Sequence, residues 1–88
     1  MQQTILIVED SPVNQELLSR ILTRADYRVL AAGSGEAALE QVKLLLPDMI
    51  ILDIMLPGMD GYSICRHLKS DERTKGIPVI FISSLDTT

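Results

Sequence analysis

The sequence predicts an α/β domain in which a parallel sheet is wound β-α-β-α-β-α-β and helices cover both faces. Two observations predict it. Solid apolar runs recur without alternation, at Ile5-Leu6-Ile7-Val8, Met49-Ile50-Ile51-Leu52 and Val79-Ile80-Phe81-Ile82. Strands of this character are buried on both faces, as parallel strands under helices are. Helical spacing fills the segments between the runs, and that alternation calls for right-handed crossovers.

Each element has its own signal. The first run follows β-branched Thr4. Ser11-Pro12 then offers a capping hydroxyl before a proline at the first helical position, where its missing N–H costs nothing. Leu17, Leu18, Ile21, Leu22 and Ala25 recur at spacings of three and four and form one apolar face. Tyr27-Arg28-Val29-Leu30-Ala31 is a more mixed strand, suited to a sheet edge. Ser34 caps a second helix whose stripe is Ala38, Val42 and Leu45, with Pro47 after its stop. Asp60 caps a third, with Ile64, Cys65 and Leu68 facing inward, and Gly76 and Pro78 mark the loop into the last run. Cys65 is read as packing and His67, off that face, as a solvated surface residue.

Composition bounds the function. The 88 residues fit one domain, 1–88, with no internal repeat or linker. Lys and Arg number 8 against 12 Asp and Glu, a net charge of −4, which argues against a nucleic-acid surface. A hydrophobic fraction of 47% with mean hydropathy +0.23 excludes a disordered acidic tail. One Cys excludes an internal disulfide and a multi-thiolate zinc site. No apolar run approaches the ~20 residues that span a bilayer. Met1-Gln2-Gln3-Thr4 has no basic segment of the secretory kind, so a cytoplasmic domain without membrane contact is expected.

The chemistry sits at strand ends. Glu9 and Asp10 follow the first run, and Asp53 follows the third. Ligands of open α/β sheets bind outside the carboxyl ends of the strands, where the winding reverses. With the first and third strands adjacent, the three carboxylates converge, and their repulsion favours protonation unless a cation intervenes. Oxygen-only ligands suit Mg²⁺, and no His or Cys stands nearby to favour zinc. A lone Asp after a strand is often only a turn former; an acidic pair after one strand and an Asp after another make that reading weaker.

These residues carry a family resemblance. Ile5-Leu6-Ile7-Val8-Glu9-Asp10-Ser11-Pro12-Val13-Asn14 resembles the opening of response-regulator receiver domains of two-component signalling. Asp53-Ile54-Met55-Leu56-Pro57-Gly58-Met59-Asp60-Gly61 resembles their phosphoacceptor loop, and Ile77-Pro78-Val79-Ile80-Phe81-Ile82-Ser83-Ser84 their fourth strand. The resemblance implies a flavodoxin-like sheet of order 2-1-3-4. It also implies that Asp53 accepts a phosphoryl group from a sensor histidine kinase. Glu9 (through water), Asp10, Asp53 and the backbone carbonyl of Met55 would hold Mg²⁺, and Ser83 would contact the phosphoryl oxygens. Gly58 with Pro57 would shape the loop, and Gly61 would give an uncrowded start to the third helix. Such a domain is a phosphoacceptor and not a turnover enzyme.

The sequence also departs from the family. Receivers continue into a further helix, strand and helix, with a Lys before Pro at the end of the fifth strand. Here Lys43, Lys69 and Lys75 all precede Ser83. The expectation is a receiver domain that stops after its fourth strand. Loss of the cation would cost on the order of 2–5 kcal/mol in the phosphorylated state. A degenerate receiver acting as an unphosphorylated dimerisation module is therefore the alternative. The bare edge of the last strand also predicts self-association, as a homo-oligomer through that edge or by swapping. A haloacid-dehalogenase-like phosphatase would need an Asp two positions after the nucleophile, where Met55 stands. A nucleotide- or flavin-binding module would need a phosphate cradle where Glu9-Asp10-Ser11-Pro12 places negative charge.

Overall fold

The computed structural model describes residues 2–56 and 58–82. Its elements run β1 (Thr4–Val8), α1 (Pro12–Arg24), β2 (Arg28–Ala32), α2 (Gly35–Leu45), β3 (Met49–Asp53), α3 (Gly61–Lys69) and β4 (Val79–Ile82). All pairings are parallel, and the sheet order is β2-β1-β3-β4. This is the flavodoxin-like order that the resemblance implies. No described helix is long and apolar enough to cross a membrane.

The three expected caps form. Ser11 Oγ accepts from the Asn14 N–H at 3.3 Å, and Ser34 Oγ accepts from the Ala37 N–H at 3.2 Å. Asp60 Oδ1 accepts from the Ser63 N–H at 2.7 Å, a bond that holds its carboxyl below the usual range. Each cap satisfies one of the amide donors that a helix start leaves unpaired. The second strand begins at Arg28 instead of Tyr27, because Asp26 takes a left-handed turn, φ 72°, after α1.

Crossover handedness distributes the helices. The chain moves one way along the sheet from β1 to β2 and the other way from β2 to β3 and from β3 to β4. Right-handed connections then put α1 on one face and α2 with α3 on the other. The second face is well covered. Leu6, Val8, Ile50 and Leu52 of the sheet pack with Ala38 and Val42 of α2 and Ile64 and Leu68 of α3 in one buried cluster. Cys65 is half-buried against this core, and His67 is exposed, as expected. Tyr62 of α3 packs against Phe81 of β4 with the rings tilted by 41° and their centroids 5.1 Å apart. Buried Thr74 closes the end of α3 by donating to the Leu68 carbonyl at 2.6 Å.

The first face differs from expectation. The apolar stripe of α1 is not a buried face: Leu18 and Leu22 are half-buried, Leu17 and Ile21 are more than half exposed, and Ala25 is exposed. A single helix is too narrow for four strands. Side by side in register, Ile7 is buried, Ile51 is half-buried and Ile80 is 46% exposed, so cover thins with distance from β1. Leu45 is a second correction. It continues the phase of Ala38 and Val42 yet is more than half exposed, because it stands on the final residue of α2, one turn past the core contact that Val42 makes.

This asymmetry has a measurable consequence. Ile50→Ala, in the covered face, is expected to cost about 2–5 kcal/mol of unfolding free energy. Leu17→Ala should change it by less than about 0.5 kcal/mol. Urea unfolding of the two variants reads the contrast.

Candidate metal and phosphoacceptor site

The ends of β1 and β3 are level, because Val8 lies opposite Leu52 in register. The next residues, Glu9 and Asp53, therefore emerge side by side, with Asp10 one position on. One carboxylate oxygen from each of Glu9, Asp10 and Asp53 lies within 4.8 Å of the others. Glu9 and Asp53 are 1% and 0% exposed, whereas Asp10 is exposed. The sequence-predicted trio thus meets at one lip of the sheet.

Backbone amides orient the two buried carboxylates. Glu9 Oε1 accepts from the Ser11 N–H at 3.1 Å, and Asp53 Oδ1 accepts from the Met55 N–H at 2.9 Å. Glu9 Oε2 and Asp53 Oδ2 are buried without any partner. A buried anionic oxygen lacking a donor is costly unless a cation or proton meets it. Burial raises the Glu9 carboxyl above its ordinary range; the Ser11 amide lowers it, and the Asp53 and Asp10 carboxylates raise it further. The donor set is oxygen-only and anionic, which fits a hard divalent cation such as Mg²⁺.

The loop after β3 is shaped by two glycines. Gly58 takes φ 83°, a conformation side chains disfavour, and its neighbour Pro57 lies outside the described residues. At Gly61 a Cβ would come within 2.8 Å of Ile54 Cα and 2.9 Å of the Asp53 carbonyl oxygen. Helix α3 starts flush against the backbone that carries Asp53, which is why an uncrowded residue stands there. Met55 exposes its side chain and is fixed through its own N–H. Ser83 lies outside the described residues.

Sequence reasoning missed two contributors. One is the Ser11 N–H, since a residue read as a helix cap gives no sign that its amide also serves Glu9. The other is Gln15 of α1, whose amide reaches the Glu9 carbonyl at 2.6 Å. Neither has a periodic signal.

Proton linkage gives a test. With its carboxyl raised in the folded chain, Glu9 contributes most to stability below its unfolded value, and that contribution is lost as pH rises through the folded value. In the presence of a chelator, Glu9→Gln is expected to remove this dependence. At neutral pH it should stabilise the chain by roughly 1 kcal/mol. For a domain of this size that is about 4–8 °C in melting temperature, read by thermal unfolding across pH.

Comparison with known proteins agrees with this geometry. The family model described as the response regulator receiver domain matches residues 5–88. The response regulator PleD of Caulobacter vibrioides is 46% identical over 86 residues, 98% of this chain, and the chain spans 19% of PleD's length. The N-terminal domain of a response regulator receiver protein from Methanoculleus marisnigri superposes with a TM-score of 0.91 at 38% identity, covering 100% of this chain and 72% of that one. The receiver domain of the sensor histidine kinase PA1611 from Pseudomonas aeruginosa, solved with a magnesium ion coordinated in its active-site cleft, gives 0.89 at 33% identity, with the same coverage. With its strand order, its acidic lip and these relatives in agreement, the chain belongs to the response regulator receiver domain family of two-component signalling.

Proposed function

We propose that the chain is a phosphoacceptor, taking a phosphoryl group from a sensor histidine kinase onto Asp53 with Mg²⁺ present. The observation that carries the reading is the pair of buried, partnerless oxygens, Glu9 Oε2 and Asp53 Oδ2, beside exposed Asp10. Magnesium in the cleft of the PA1611 receiver supports it.

In this reading the Met55 N–H limits rotation of the Asp53 carboxylate, so its attack geometry is set before the donor arrives. An Asp53 oxygen bonds to phosphorus as the P–N bond of the phosphohistidine breaks. The electron pair leaves on the imidazole, and an acyl phosphate forms. Glu9, Asp10, Asp53 and the Met55 carbonyl would hold the cation, and Ser83 would contact the phosphoryl group. Bound Mg²⁺ supplies neutralisation of charge on the phosphoryl oxygens. Asp53 is modified once per cycle, so the domain is a switch and not a turnover enzyme. Its place is the cytoplasm, where kinase phosphohistidines are formed.

Incubation with acetyl phosphate and Mg²⁺ is expected to yield an acid-stable, hydroxylamine-labile phosphoryl label. Asp53→Asn should abolish the label, and unchanged labelling in that variant moves the site elsewhere. Mg²⁺ alone should raise the melting temperature, because it binds the folded state; no shift at roughly tens of millimolar argues against the metal.

We also infer self-association through β4. Among the described residues this strand pairs only with β3, and Ile80 and Phe81 on it are exposed. An open edge with apolar side chains recruits another strand. Sedimentation velocity at micromolar concentration should show a dimer, and a stable folded monomer there overturns the inference.

A further inference from the structure

We infer that Gln15 is a positioning residue for the acidic site, holding the Glu9–Asp10 peptide so that Asp10 faces the other two carboxylates. The inference rests on the metal reading above and deepens it. Gln15 is half-buried near the start of α1. Its Nε2 donates to the Glu9 carbonyl at 2.6 Å and lies 3.5 Å from the Ala32 carbonyl at the end of β2. The Glu9 N–H donates to that same Ala32 carbonyl at 3.0 Å. One side-chain amide therefore ties together the start of α1 and the ends of β1 and β2. Both of its partners are acceptors, so only the NH₂ end of the amide fits there.

The consequence falls on Asp10. Among the described residues no N–H or O–H donor holds its carboxylate, and the side chain is exposed. What aims it is the backbone that carries it. The Glu9 carbonyl belongs to the planar peptide joining Glu9 to Asp10, so fixing that oxygen fixes the plane from which Asp10 departs. Ser11 adds a second restraint, since its N–H holds Glu9 and its carbonyl accepts from the Gln15 N–H at 2.9 Å. Gln15 lies on the helix turn that closes over this loop and is the side chain that reaches back to the carbonyl. A purely structural glutamine would satisfy two carbonyls and leave metal affinity untouched.

The test is Mg²⁺ affinity by isothermal titration calorimetry on the full chain, paired with melting temperature in chelator. Gln15→Met keeps the length and helix propensity but has no donor; Gln15→Asn keeps the amide one methylene short of the carbonyl. Each is expected to weaken Mg²⁺ binding about tenfold, the low end for groups that orient metal ligands. Affinity within about twofold of the parent in either folded variant overturns the positioning role, whatever happens to the melting temperature. If Gln15→Met does not fold, Gln15→Asn decides by the same criterion. A parent chain that binds no Mg²⁺ overturns the metal reading and this inference with it. A parent that binds while both variants bind equally well overturns the positioning role alone.

Discussion

Mutual repulsion among carboxylates is the constraint on which the rest of this structure turns. At an effective dielectric of about 20, two ionised groups 4.8 Å apart repel by on the order of 3 kcal/mol. The fold nevertheless brings Glu9 and Asp53 out of water side by side. It does so because two solid apolar strands, β1 and β3, are neighbours in level register, and their hydrophobic burial against α2 and α3 outweighs a local penalty at the ends. A bound cation or proton would relieve that penalty. The amides of Ser11 and Met55 set the direction of each carboxylate while leaving one oxygen on each without a donor.

The two faces of the sheet serve this end unequally. Helices α2 and α3 build the dry core that fixes β3, and α3 begins directly against the Asp53 backbone. On the other face α1 works near its own start, where it braces the acidic loop, and leaves much of its apolar side uncovered. Packing is therefore densest on the side that anchors the strand carrying Asp53. The weaker side reaches solvent along Ile80 and the outer turns of α1.

Much of this was legible in the residues. The unbroken apolar runs at residues 5–8, 49–52 and 79–82 each became a strand of the parallel sheet, although the last leaves Ile80 and Phe81 exposed, and the three caps at Ser11, Ser34 and Asp60 formed where their side chains predicted. Glu9, Asp10 and Asp53 were legible as a cluster because strand ends converge in a parallel sheet, so position along the chain becomes position in space. Periodicity failed where it reports phase alone. It tells which side of α1 is apolar and not whether a neighbour covers it, hence the exposure of Leu17 and Ile21; Leu45 fails for the same reason. Gln15 was invisible because a side chain that bonds to backbone carbonyls leaves no pattern in residue type.

Gly61 shows how closely the helical and strand layers are joined. The atoms a methyl group would strike there belong to the main chain of residues 53 and 54, not to the ends of side chains. A crowded side chain elsewhere could be trimmed by a compensating replacement, but no second change of residue type shortens a polypeptide backbone. A side chain at this position therefore requires the main chain itself to move, whereas at Gly35 an added Cβ would meet only side-chain atoms of Ile64 and Met59.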